Sequence, residues 1–145
     1  MEDQEDKIRI FKNLKRRLSR FAPYVITEIH KSEYESLLKI ALQDLEPYVV
    51  LENITNPKYL FEFIKSNKNE LIVVKDDIFS MSKNYLDIAE GAVCSSPDSM
   101  ALWPVRYKSE EFTFKGKIIL CTQKNKHEIK SDNRLKYFVR DCYFI

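Results

Sequence analysis

Four apolar runs punctuate the chain: Tyr24-Val25-Ile26-Thr27, Tyr48-Val49-Val50-Leu51, Leu71-Ile72-Val73-Val74 and Lys117-Ile118-Ile119-Leu120-Cys121-Thr122. They are rich in β-branched residues and too short for helices, which marks them as buried strands. Helical signals lie between them. Ser32 precedes Tyr34, Leu37, Leu38, Ala41, Leu42 and Leu45 at helical spacing, and Glu35 completes a capping box with it. Asn56-Pro57 supplies a cap and a first-turn proline for a helix over 57–66, and Ser82 caps another that carries Tyr85, Leu86, Ala89 and Val93. Parallel neighbours need crossover connections, so buried strands alternating with helices predict an α/β fold. Its form is three layers, a mostly parallel sheet flanked by helices. Ahead of this 24–145 core, Ile8, Phe11, Leu14, Leu18 and Phe21 recur every three or four residues and predict an amphipathic helix over 5–20, within a basic N-terminal segment 1–21. After a loop at 94–101, the segments 102–107 and 112–114 are expected to pair as a small hairpin. A polar loop, a short helix around Leu135 to Val139 and a terminal strand from Cys142 to Ile145 complete the expectation.

A chain of 145 residues has the usual size of a single domain, here 1–145, and buries a core without disulfides or metal. With 44% hydrophobic and 32% charged residues and no apolar run of spanning length, no membrane partner is expected. The N-terminus, Met1-Glu2-Asp3-Gln4-Glu5-Asp6, is acidic where an export signal is basic and then apolar, so a cytoplasmic location is expected. Cys94, Cys121 and Cys142, with only His30 and His127 for company, match neither a disulfide framework nor zinc-ligand spacing and are expected to be reduced core thiols. The sequence shows no internal repeat and no low-complexity linker.

Ligands of open α/β sheets bind at the carboxyl ends of the strands, so the residues just after each apolar run carry the functional question. Glu28-Ile29-His30-Lys31-Ser32 follows the first run, Asp76-Asp77 the third, and Gln123-Lys124-Asn125 the last, with Arg140 near the end of the chain. The succession of a strand with Lys-Ser opening a helix, an apolar strand with two acids, a strand ending in polar amides and then an arginine resembles the core of AAA-type ATPases of the P-loop class. The resemblance runs over roughly residues 24–145. Leu71-Ile72-Val73-Val74-Lys75-Asp76-Asp77 is similar to that family's second nucleotide motif, 112–125 to its sensor strand, and Asn133-Arg134-Leu135-Lys136-Tyr137-Phe138-Val139-Arg140 to the segment ending in its arginine finger. The resemblance implies that Lys31 meets the β- and γ-phosphates, that Ser32 and Asp76 hold magnesium, and that Asp77 positions water. Asn125 would be the polar sensor and Arg140 the finger.

One departure falls at the phosphate loop. Such a loop needs glycines so that successive backbone N–H groups point inward and phosphate approaches without a Cβ in the way. The chain has two glycines, Gly91 and Gly116, and neither lies between the first strand and Lys31. Ile29 and His30 stand where crowded or left-handed backbone is needed, at about 1–2 kcal/mol each. The expectation is therefore a non-catalytic, degenerate P-loop domain without a cofactor, a regulatory module that binds a protein or nucleic acid. Viruses and mobile elements are a source of such eroded domains. Two alternatives stand beside it: a weak Mg-ATP-dependent ATPase completed by a partner subunit, and a structural α/β module unrelated to ATPases. Plainer readings accompany each residue. Ser32 is accounted for by its capping box, Lys31 and Arg140 by solvation, and Asp76-Asp77 by a turn. Gln123 and Asn125 are accounted for by a loop, and His127 by a solvated run. Hydrolase elbows, zinc-protease motifs and Cys-x-x-Cys pairs are missing from the sequence.

The partner surface is expected on the N-terminal helix. Arg9, Lys12, Arg16 and Arg20 share one face, roughly opposite Ile8, Phe11, Leu14 and Leu18, while Glu2, Asp3, Glu5 and Asp6 gather at the end where acids favour the helix dipole. A solvated face is the plainer account of such charges. Possible occupants are a nucleic acid, an acidic protein, a second copy or an active ATPase. Changing Arg9, Lys12, Arg16 and Arg20 together to Gln is expected to preserve the far-ultraviolet circular dichroism while abolishing salt-sensitive partner binding; unchanged binding returns the helix to the solvated reading.

Overall fold

The structure, a computed structural model, describes residues 24–27, 39, 43, 47–94, 104–135 and 143–144. The expected helix over 5–20, and with it Arg9, Lys12, Arg16 and Arg20, lies outside the described residues, as does most of the 32–45 segment. Lys39 and Gln43 of that segment are helical and exposed.

Along the described chain strand and helix alternate as β1 (Tyr24–Ile26), β2 (Val49–Leu51), α1 (Pro57–Ser66), β3 (Leu71–Val74), a 3-10 turn (Ile78–Ser80), α2 (Lys83–Cys94), β4 (Val105–Tyr107), β5 (Glu110–Phe112), β6 (Lys117–Cys121), α3 (Lys126–Ser131), a second 3-10 turn (Asn133–Leu135) and β7 (Tyr143–Phe144). The four apolar runs and β7 form one sheet in the order β2-β3-β6-β1-β7, with every neighbouring pair parallel. The chain is thus an α/β fold built on a parallel sheet with helical crossovers.

The register explains why these runs carry no polar alternation. Ile72 pairs with Ile118 and Val74 with Leu120, while Val73 pairs with Ile119 on the opposite face. All six are buried, so the two central strands lie against protein on both sides. A row across the sheet, Leu51-Val74-Leu120-Val25, joins the core cluster together with Leu60, Phe61 and Ile64 of α1 and Leu86, Ala89 and Val93 of α2. That shared cluster seats both helices on the face of Ile72 and Val74.

Local chemistry sets the helix starts. Asn56 is extended at φ −162°, its side chain accepts from the Tyr59 N–H at 2.8 Å, and Pro57 opens α1. The carbonyl of Ser82 accepts from Tyr85 and Leu86, at the cap position expected for α2. α3 replaces the expected polar loop. Its cap is a full capping box in which Asn125 accepts from the Glu128 N–H at 2.8 Å and Glu128 accepts from the Asn125 N–H at 3.3 Å. Of the helix expected around Leu135 to Val139, Leu135 stands in a 3-10 turn and the remainder lies outside the described residues.

The hairpin forms, but its second arm is earlier than expected. β4 and β5 pair around Lys108-Ser109, with Arg106 opposite Glu111, and Phe114 enters the core instead of the strand. Glu110 and Glu111 are exposed, so no apolar alternation marks that arm. Packing holds it. Phe61 of α1 touches Tyr107 and Phe112 with ring centroids 5.7 and 5.3 Å apart, and the exposed Arg106–Glu111 pair closes at 2.9 Å.

Both glycines serve close backbone approaches. A Cβ on Gly91 in α2 would lie 2.7 Å from the Pro104 carbonyl oxygen and the Val105 Cα, and one on Gly116 would collide with the Glu70 carbonyl oxygen. At that second contact the Lys115 and Gly116 N–H groups donate to the Lys68 carbonyl at 2.8 and 2.9 Å, and the Lys117 N–H to Glu70 at 3.1 Å. Gly116→Ala is expected to cost about 3 kcal/mol, because backbone lies on both sides of the contact. In Gly91→Ala a gain of about 1 kcal/mol in helix propensity offsets part of a similar clash. Urea-denaturation midpoints should therefore fall further for Gly116→Ala than for Gly91→Ala.

Candidate functional site at the carboxyl edge of the sheet

Parallel pairing brings the carboxyl ends of the strands to one edge. β6 lies between β1 and β3 there, so the residues that follow these strands are neighbours. The connection leaving β1 leads toward β2, whereas that leaving β6 leads past β1 to β7. The two connections thus leave in opposite directions along the sheet, and such a reversal of strand order is where open α/β sheets bind ligands.

Thr27 and Thr122 stand at this point, one residue beyond the registered pair Ile26–Cys121. They are the described buried polar residues, 5% and 0% exposed. The Thr122 hydroxyl accepts from the Lys124 N–H at 3.1 Å and holds the turn into α3. Their place ending two apolar runs was the available signal, but threonine also fits a strand interior, and they were not expected as site residues.

The acid pair follows β3. Asp76 accepts through Oδ1 from the Asn53 N–H at 3.1 Å and through Oδ2 from the Ile54 N–H at 2.7 Å, both in the turn after β2. Asn53 is left-handed at φ 59°, a conformation asparagine tolerates better than most residues. Asp77 accepts through Oδ2 from the Gln123 N–H at 3.0 Å, after β6. Its Oδ1 is buried and accepts no hydrogen bond. The two side chains therefore connect the ends of β2, β3 and β6. Asn125, the expected sensor, caps α3 from the end of the same edge. Lys31, Ser32 and Arg140 lie outside the described residues. Among the described residues no group of three His, Cys, Asp or Glu side chains is placed to hold a metal, and no helix is long and apolar enough to cross a membrane.

Comparison with protein-family models, curated proteins and solved structures finds no match. The residues themselves carry the functional argument.

Cys121 at the end of β6 is buried on the face of Ile119. Burial pushes its thiol up to about 12, with the Lys75 charge pulling it down and the Asp77 charge pushing it up. At pH 8 the thiolate fraction is then about one part in ten thousand, against about one in ten for a thiol at the reference value of 9.0. Iodoacetamide at pH 8 should leave Cys121 unmodified in the native protein and alkylate it in urea, as read by peptide mass mapping. A raised thiol pKa favours the folded state below the unfolded value, so this contribution should be lost as pH rises from about 9 toward 12.

Proposed function

We propose that the chain is a degenerate, non-catalytic P-loop, AAA-like domain that acts as a regulatory module binding a protein or nucleic acid. The observation that carries the reading is the place of β6 between β1 and β3. A polar sensor has to reach a phosphate held after β1 and stand beside acids after β3, so its strand must run between those two. The parallel order meets that requirement. It also supports the three-layer reading, with a cytoplasmic setting suited to reduced thiols.

The use of the glycines supports the loss of catalysis. Gly91 meets the start of the hairpin and Gly116 the turn before β3, so both serve packing away from the carboxyl edge. Transferring phosphate is stabilised chiefly by preorganised donors, and a segment with Ile29 and His30 before Lys31 lacks the backbone freedom to provide that nest. Function then falls to surfaces, the basic face of Arg9, Lys12, Arg16 and Arg20 first, with self-association or association with an active ATPase as forms of partner binding. One observation favours a weak Mg-ATPase completed by a partner subunit: the unpartnered Oδ1 of Asp77, the residue that the resemblance sets beside water.

Calorimetric titration of the full chain with Mg-ATP should give no binding heat, and Lys31→Ala should give the same trace. Turnover of ATP or GTP should be indistinguishable from buffer. A rate that disappears in Asp77→Ala would establish the weak ATPase instead.

A further inference from the structure

The resemblance implies a magnesium nucleotide, and the described residues do not fit one as they stand. Both oxygens of Asp76 accept backbone N–H groups from the turn after β2. One oxygen of Asp77 accepts the Gln123 N–H from the turn after β6, and Asn125 has its side chain engaged in the capping box of α3. A metal drawing on Asp76 or on Asp77 Oδ2 would compete with these three backbone donors, which already hold the carboxylates at 2.7 to 3.1 Å.

We infer that Asp76 and Asp77 form a backbone clamp that joins the ends of β2, β3 and β6 without metal or nucleotide. The inference rests in part on the degenerate reading above, and it concerns what replaces the nucleotide there. Asp76 acts across the β2–β3 boundary and Asp77 across the β3–β6 boundary. The clamp thus spans the three neighbouring strand ends in the order β2-β3-β6. Three of its four carboxylate oxygens are engaged by charge-assisted hydrogen bonds, which are stronger than neutral ones. The fourth, Asp77 Oδ1, is buried and accepts no hydrogen bond. Asp76 also supports Asn53 in its left-handed conformation, so the same carboxylate shapes the turn that leads toward α1.

Amide hydrogen exchange on the full chain tests this residue by residue. Asp76→Asn should speed exchange at Asn53 and Ile54 on the order of tenfold, leaving Gln123 close to wild type. Asp77→Asn should do the converse. Millimolar magnesium chloride, with or without ATP, should leave all three amides of the wild type unchanged. Unchanged exchange in both variants would overturn the clamp. So would a magnesium response at these amides in the wild type, a readout needing no variant that might fail to fold. ATP turnover together with the expected exchange pattern would remove the non-catalytic reading and leave the clamp standing, so the two ideas fail separately.

Discussion

The parallel pairing of β3 with β6 is the constraint on which the rest of the structure depends. Four registered pairs run from Leu71–Lys117 to Val74–Leu120, and the last three are apolar on both strands. Because the strands run the same way, each must be entered from one edge of the sheet and left at the other. Every connection therefore crosses a face, and the residues that follow the strands collect on a single rim. The burial of Val73 and Ile119 on one side and of Ile72, Val74, Ile118 and Leu120 on the other follows from the same arrangement. So does the placing of Thr27, Asp77 and Thr122, from segments remote in the chain, on one edge of the sheet.

The strands were legible because continuous β-branched runs have few other uses at that length, and all four expected runs coincide with β1, β2, β3 and β6 to within a residue or two at each end. α1 was legible for a different reason: Asn56-Pro57 encodes its start in two adjacent residues, without help from the rest of the fold. α3 was missed although its capping box is written in Asn125 and Glu128, because only one buried side chain, Ile129, gives the short helix an apolar face to read. The partners of the acid pair were beyond reach. Asp76 meets residues 23 and 22 positions away and Asp77 one 46 away, and nothing local to an Asp-Asp pair separates a turn, a metal site and a clamp on neighbouring strands. The hairpin lies between these cases, since its existence was readable and its second arm, Glu110–Phe112, was hidden by charge.

α1, α2 and the hairpin form one packed layer. Phe61 is 1% exposed and faces both arms of the hairpin, while Val105 of β4 lies in the same cluster as Leu86 and Val93 of α2. The hairpin is therefore part of the cover over the core, not a free arm. The Lys65–Glu110 and Arg106–Glu111 pairs at its surface are exposed and add little by comparison with that aromatic contact.

The two rims of the sheet are fastened in unlike ways. At the entry to β6, Gly116 lies so near Glu70 that no side chain fits, and the contact consists of backbone alone. At the exit, carboxylates bridge the strand ends. A backbone contact offers selection almost nothing to adjust, since the only residue that fits is already there. A carboxylate bridge is adjustable one atom at a time: lengthened, neutralised or exchanged for an amide. In a lineage that carries this domain, the entry rim should hold its glycine while the exit rim drifts on an unchanged frame.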